Sequence, residues 1–215
     1  MPSPRFERLD SATRTAILEA ARAEFAEHGL EGSSYRRIIA NSGLSKSSFY
    51  YYFHGKEDLY ITVVKDAIAQ FAEAVGEPRE VTTVEEFWAE CARLFRRFYE
   101  LGMKNPVLVG VLRSVVELRP GPLAEELMTR VTLKDVTWYE AIIRRGQALG
   151  AVRTDHPLDL VIEVYLAVMV ARVKWSLKQW LNGAPLKIDE DVEDIIDLFR
   201  RMATPRHKSA GQPVA

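Results

Sequence analysis

A single cysteine, Cys91, leaves no partner for a disulfide within the chain. Bridge-stapled folds are therefore excluded, and a reducing interior is expected. Cys91 lies in the apolar helical pattern FWAECARLF and reads as an inert packed thiol unless something stabilises its thiolate. Long apolar runs are also missing. The most apolar stretch, Leu158 to Val173, carries Asp159, Glu163 and Arg172 and is too short to span a bilayer comfortably. MPSPRFERLDSATR at the start has no apolar core of a secretory signal, so a cytoplasmic protein with no membrane partner is expected. There is no phosphate-binding loop, dinucleotide fingerprint or nucleophile elbow, and no metal-ligand spacing. The histidines, His28, His54, His156 and His207, are scattered over turns and ends. An enzyme, a bound metal and a cofactor are accordingly not expected.

One further absence is local. Between Gly32 and Lys56 there is no Asp or Glu, while Arg36, Arg37, Lys46, His54 and Lys56 are present. Glu24, Glu27 and Glu31 come before this window, and Glu57 and Asp58 follow it. With a net charge of −1 over 215 residues, the whole chain is no polycation. A positive surface confined to one stretch points to one anionic partner at one place, although such a stretch can also be only a solvated face.

What is present is helical punctuation from end to end, without strand alternation, repeats or low-complexity tracts. Apolar residues make up 47% of the chain and charged residues 27%, an ordinary globular balance. The pattern predicts an all-α fold of about nine helices. The first runs from about Ser11 to His28, capped by Asp10 or Ser11, with Ile17, Ala21 and Phe25 as its apolar stripe and Gly29 as its stop. A short second helix spans about Ser34 to Asn41 with Ser33 as candidate cap, and Gly43 breaks it. Ser45 caps a third that ends at Phe53, and a fourth runs from Lys56 to about Val75. Thr82 with Glu85, or Thr83 with Glu86, opens a fifth as a capping box. Asn105 and Pro106 open the sixth, Pro122 to Leu149 forms the seventh, Asp155 and Pro157 begin the eighth, and Asp189 opens the ninth. The expected division is a DNA-binding domain over 1–60, a second helical domain over 61–203 and a disordered tail over 204–215.

Two short helices across a glycine turn form a helix-turn-helix, whose second helix enters the major groove of DNA. The run FYYYF, Phe49 to Phe53, cannot face one core, because successive helical side chains point about 100° apart. Phe49 and Phe53 share a face and belong to the core with Ile38 and Leu44. Lys46, Ser47 and Ser48 sit in the exposed first turn, within reach of base edges. Tyr50 and Tyr51 are left to face the groove or the sugar-phosphate backbone, where a tyrosine hydroxyl donates to a phosphate oxygen. Tyr52 is expected to pack on the first or fourth helix. Lys56 offers phosphate both its charge and a helix N-terminus.

The segment ILEAARAEFAEHGLEGSSYRRIIANSGLSKSSFYYYFHGKEDLY, Ile17 to Tyr60, resembles the DNA-binding domain of TetR-type transcriptional regulators. The resemblance implies that Ser33, Ser34, Arg36, Lys46, Ser48, Tyr50, Tyr51, His54 and Lys56 lie at or near operator DNA. It also implies a homodimer on a palindromic operator, acting as a repressor, and a helical C-terminal domain that binds a small-molecule effector. There are departures: Ser47 stands where glycine is frequent, Ile39 where a small alanine is usual, Arg37 for a frequent acid and Tyr51 for a frequent histidine.

The second domain is rich in rings, which pack cores and also wall ligand cavities. Trp88, Cys91, Phe95 and Phe98 share one face of the fifth helix, Trp138 and Ile142 one face of the seventh, and Tyr165 and Met169 one face of the eighth. These, with Arg113 and Glu117 as polar candidates, are the expected effector site for an apolar or aromatic molecule. A regulator whose second domain only dimerises or binds a protein is the other reading. The dimer is expected through the last two helices, because Leu160, Val161, Val164, Leu166, Val168, Met169 and Val173 exceed what one intramolecular core needs.

Overall fold

A computed structural model describes residues 5–181, 183–185 and 187–203, and of 116, 128–138, 177 and 181 only the backbone. Among the described residues the fold is all-α. Helices are α1 (Ser11–Gly32), α2 (Tyr35–Asn41), α3 (Lys46–Tyr52), α4 (Lys56–Val75), α5 (Val84–Lys104), α6 (Pro106–Val116), α7 (Pro122–Ala148), α8 (Leu158–Leu181) and α9 (Ile188–Ala203). The tail expected to be disordered, 204–215, lies outside the described residues.

Local chemistry sets most of these ends. Asp10 caps α1 by accepting from the Thr13 N–H at 2.9 Å. Gly29, at φ 63°, breaks α1 where a stop was expected, but one more turn follows to Gly32. Thr83 and Glu86 form a reciprocal capping box at the start of α5: the Thr83 hydroxyl accepts from Glu86 N–H at 3.1 Å, and the Glu86 carboxylate accepts from Thr83 N–H at 3.3 Å. Asn105 caps α6 through Leu108 N–H, with Pro106 at the first helical position. The cap of α2 needs a correction. It is Ser34, not Ser33, whose hydroxyl accepts from Arg37 N–H, while Ser33 is buried and its hydroxyl donates to the Leu30 carbonyl at 2.7 Å. A single 3-10 turn at Phe6–Arg8 precedes α1 and was not expected.

The chain packs as two compact units, Met1–Gly76 with Arg97–Asp135, and Glu77–Arg96 with Val136–Ala215. In the first, Phe25, Phe49, Phe53, Leu59, Tyr60 and Leu108 are almost wholly buried in one core. Phe25 meets Tyr60 edge-on at 5.0 Å, and the Tyr60 hydroxyl is 2.8 Å from that of Ser114. Burial pushes the Tyr60 phenol up to about 12, so it is neutral and serves as a hydrogen-bonding core ring. In the second unit, Phe87, Trp88, Ile143, Val161, Tyr165, Ile195 and Phe199 are buried. Among the described residues no helix is long and apolar enough to cross a membrane.

Candidate nucleic-acid interface

The turn between α2 and α3 is fixed by Gly43, whose φ of 73° is a left-handed conformation that a side chain would strain. Ser42 reinforces it, donating to the Ile39 carbonyl at 2.8 Å. Ser45 then caps α3 through Ser48 N–H at 3.2 Å. The hydroxyls of Ser47 and Ser48 lie 3.0 and 2.8 Å from that of Ser45, so the entry to α3 is a cluster of three serines beside exposed Lys46.

The rings divide as their helical angles require. Phe49 and Phe53 are 0% and 1% exposed, whereas Tyr50 and Tyr51 are 51% and 53% exposed. Tyr52 is half-buried against the core. Phe49 is gripped by Tyr35 at 5.4 Å and Phe53 at 5.5 Å. Tyr35 also meets Tyr50 edge-on at 5.5 Å, so a ring on α2 aims an exposed ring on α3. The Lys46 ammonium stands 6.0 Å from the centre of the Tyr50 ring. Lys46, Tyr50 and Tyr51 thus form one outward surface above a buried phenylalanine pair.

The positive charges of the window are not equally disposed. Arg36 and His54 are exposed, and His54 N–H donates to Asp58 at 3.2 Å. Arg37 is tied down by buried Glu24, its Nη2 donating at 2.6 Å and its Nε at 3.0 Å. The same carboxylate accepts from Ser34 N–H at 2.6 Å, which joins α1 to the start of α2. Lys56 donates to the Glu31 and Ser33 carbonyls at 3.3 and 3.1 Å, using two of its three ammonium donors on the end of α1. Last-turn carbonyls lack helical partners and carry the negative end of the helix dipole, which is why an ammonium settles there. Neither Glu24 nor Tyr35 was singled out in the sequence. A carboxylate facing the core beside an acid-poor, arginine-bearing window is the signal that could have found Glu24.

Arg37 is the main cause that holds the Glu24 carboxyl below its ordinary value, assisted by the Ser34 N–H and opposed by burial. A depressed folded value contributes stability above the unfolded pKa, and that stability is lost as pH falls through the folded value. Glu24→Gln should therefore lower stability at neutral pH by about 1 kcal/mol, the scale of a hydrogen bond, and flatten the acid limb of the stability curve. Urea midpoints between neutral and acid pH check this. An unchanged acid limb would remove Glu24 from the list of pH-sensitive contacts.

The expected effector residues fall in both packing units. Phe98, Arg113 and Glu117 belong to the first, where Arg113 donates to the Ala26 carbonyl at 2.6 Å and stands 4.0 Å from Glu117. Trp88, Cys91, Phe95, Ile142, Tyr165 and Met169 belong to the second. There Phe199 gathers Phe95 at 5.6 Å and Tyr165 at 5.0 Å, and the Tyr139 hydroxyl donates to Met169 sulfur at 2.9 Å. Burial pushes the Cys91 thiol up to about 12, against any thiolate role. The Trp138 side chain lies outside the described residues.

Residues 17–63 match the family model for bacterial regulatory proteins of the tetR family. The HTH-type transcriptional repressor AcnR of Corynebacterium efficiens is 40% identical over 188 residues, 86% of this chain and 90% of that protein. The HTH-type transcriptional repressor SCO4008 of Streptomyces coelicolor is 38% identical over 174 residues, 77% of this chain and 79% of that one. Among solved structures, the transcriptional regulator FadR from Bacillus subtilis in complex with stearoyl-CoA superposes with a TM-score of 0.71 at 18% identity, covering 87% of this chain and 98% of that one. The exposed α3 surface, the match over α1 to α4 and a relative aligned along most of both chains agree: this chain belongs to the tetR family of DNA-binding transcriptional regulators.

Proposed function

We propose that this chain is an operator-binding repressor that acts as a two-fold homodimer and is released by a small apolar or aromatic effector. One observation carries the DNA part. On the seven-residue helix α3 and at its C-cap, Phe49 and Phe53 are buried while Tyr50 and Tyr51 stay exposed beside Lys46 and the three serines. Leaving two large rings in water has no folding advantage, so a partner for them is the economical reading. Relatives named as transcriptional repressors support repression as the mode.

In this reading residues 1–60 bind DNA, and 61–203 dimerise and take the effector. Lys46, Ser47 and Ser48 meet base edges. Tyr50, Tyr51 and Lys56 meet phosphates, with Ser33, Ser34, Arg36 and His54 beside them. The dimer forms through α8 and α9, where Leu160, Val164, Val170, Trp175 and Leu198 are exposed apolar side chains. Such a dimer holds two recognition helices about 34–36 Å apart, to meet successive major grooves. The effector lies among the rings near Tyr165 and Phe199 and shifts that spacing. By linkage, operator and effector then weaken each other equally.

The test uses a duplex that the full-length chain enriches from a random pool, and a scrambled duplex of the same length. Tyr50→Phe removes one hydroxyl and should weaken both by about 0.5–1.5 kcal/mol. Lys46→Ala or Ser48→Ala should instead change preference at particular base pairs, by about 1–3 kcal/mol where a good contact is lost. No enriched duplex, or a chain that sediments as a monomer, would sink the proposal.

A further inference from the structure

We propose that the dimer is centred on α8, which crosses its own copy antiparallel near Ala167 and Ala171, in a register set by Glu163 and Lys174. The proposal rests on the reading that α8 and α9 form the dimer, and names the central helix, the direction of pairing and the charges that fix it. α8 has two faces. One packs on α9, where the Tyr165 ring meets Phe199 at 5.0 Å and Arg172 donates to Asp191 at 2.5 Å. The other is exposed at Leu160, Val164, Ala167, Ala171 and Trp175, a spacing of three and four residues that makes one stripe along the helix. On α9, by contrast, Leu198 is the one large apolar side chain left exposed among the described residues.

The charges on this face say which way a second copy lies. Asp159 and Glu163 mark its first half, Lys174 and Lys178 its second, and all four are exposed. Within one helix this arrangement costs stability, because like charges four residues apart repel. The helix dipole accounts for an acid in the first turn and a base in the last, but it fades beyond them, and Glu163 and Lys174 lie one turn further in. A second copy crossing antiparallel between Val168 and Met169 accounts for both. Glu163 then stands level with the partner's Lys174 along the same edge of the contact, about 8 Å from the crossing at 1.5 Å per residue. The two-fold axis repeats the pair. A parallel pairing would instead set Glu163 level with its own copy, and Lys174 likewise.

Side-chain size fits the same register. Ala167 and Ala171 flank the crossing, where small side chains let two helices approach closely. Trp175, 54% exposed, lies on the opposite edge from Lys174 and comes beside the partner's Val164. Its ring is already placed: Arg172 Cζ stands 4.7 Å from the ring centre, and Arg172 is itself held by Asp191 on α9 and by the Ser176 hydroxyl at 2.6 Å. A large exposed ring fixed before association suits an interface anchor, since little rotamer freedom is lost when it is covered. Acid against base, alanine against alanine and ring against valine all coincide under one two-fold axis, so the occupant this face fits is a second copy of the chain.

Full-length Glu163→Lys, Lys174→Glu, the double variant carrying both, and unmodified chain are compared by sedimentation over a dilution series at low salt. Each single reversal should raise the dimer dissociation constant by about tenfold, because two exposed pairs turn from attraction to repulsion together. The double variant restores both pairs with their signs exchanged and should dimerise like the unmodified chain. An equimolar mixture of the two single variants should do the same as heterodimers, since each chain supplies the charge that the other's reversal requires. Single reversals that dimerise as tightly as the unmodified chain overturn the proposal. So does a mixture no tighter than its components, which would mean that the reversals disturb α8 rather than a pair across it. In both cases a dimeric unmodified chain leaves the α8–α9 reading standing, and only the register falls. A monomeric unmodified chain, the outcome if another macromolecule covers this face, ends both.

Discussion

Phe49→Ala is expected to cost about 3–5 kcal/mol and to loosen the helix-turn-helix before any question of DNA contact arises. The ring is fully buried, between Tyr35 on α2 and Phe53 at the end of α3. A helix of seven residues does not stand alone in water, because the cost of nucleation is recovered only over a longer run. α3 is held by what it buries, and Phe49 is the largest buried side chain within it. Truncation removes the ring's transfer energy and leaves a void that Ile38 and Tyr35 can only partly fill. A domain with about 5–15 kcal/mol in total loses a large fraction of it. Tyr50→Phe, one position along, should change stability by less than about 0.5 kcal/mol, since Tyr50 is an exposed residue. Urea unfolding of the two variants separates them. A stable Phe49→Ala with an unstable Tyr50→Phe would reverse the assignment of the α3 faces.

The legible parts of this chain are those governed by neighbours in sequence. Asp10, Ser45, Thr83 and Asn105 each cap a helix within three residues of themselves, so the starts of α1, α3, α5 and α6 could be placed from the chain alone. The division of FYYYF into buried and exposed rings follows from helical angle and needs no tertiary knowledge. The illegible parts depend on partners far along the chain. Arg37 looked like a free cation, yet its carboxylate lies 13 residues away on α1. Lys56 reaches back 25 residues to the Glu31 carbonyl. The turn at Phe6–Arg8 has no periodic pattern around it, because three residues leave no signature in hydropathy. The effector residues show a third case. Periodicity put Trp88, Cys91, Phe95 and Phe98 on one helix face, but not which rings they would meet. Phe95 meets Phe199, on α9, one of the two helices expected to form the dimer. Phe98 meets Phe71 in the other packing unit's core.

Gly110→Val is expected to destabilise the first packing unit by about 3 kcal/mol, at the upper end for overpacking, and Gly110→Ala by less but in the same direction. Helix propensity alone predicts the opposite sign for alanine: replacing an interior helical glycine should gain about 1 kcal/mol. Space decides against it. A Cβ on Gly110 would lie 2.6 Å from the Ala26 Cβ and 3.0 Å from both the Ala26 Cα and its carbonyl oxygen. Two of those three atoms are backbone, so no rotamer change on α1 relieves the contact. Nor can α6 slide easily. Leu108 and Val111 on either side of Gly110 are wholly buried, and Arg113 donates to the same Ala26 carbonyl at 2.6 Å. The close approach of α6 to α1 is thus set by a glycine facing an alanine, and a valine would force the two helices apart. The consequence extends along α1, because Glu24, two residues before Ala26, holds the Ser34 N–H and Arg37 at the start of α2. Gly110→Val should therefore weaken operator binding as well as stability, although Gly110 itself is no DNA contact. Urea midpoints together with operator titrations at a temperature where both variants remain folded measure the two effects. If Gly110→Ala proves more stable than the unmodified chain, propensity outweighs the clash, and the α1–α6 contact is looser than these distances require.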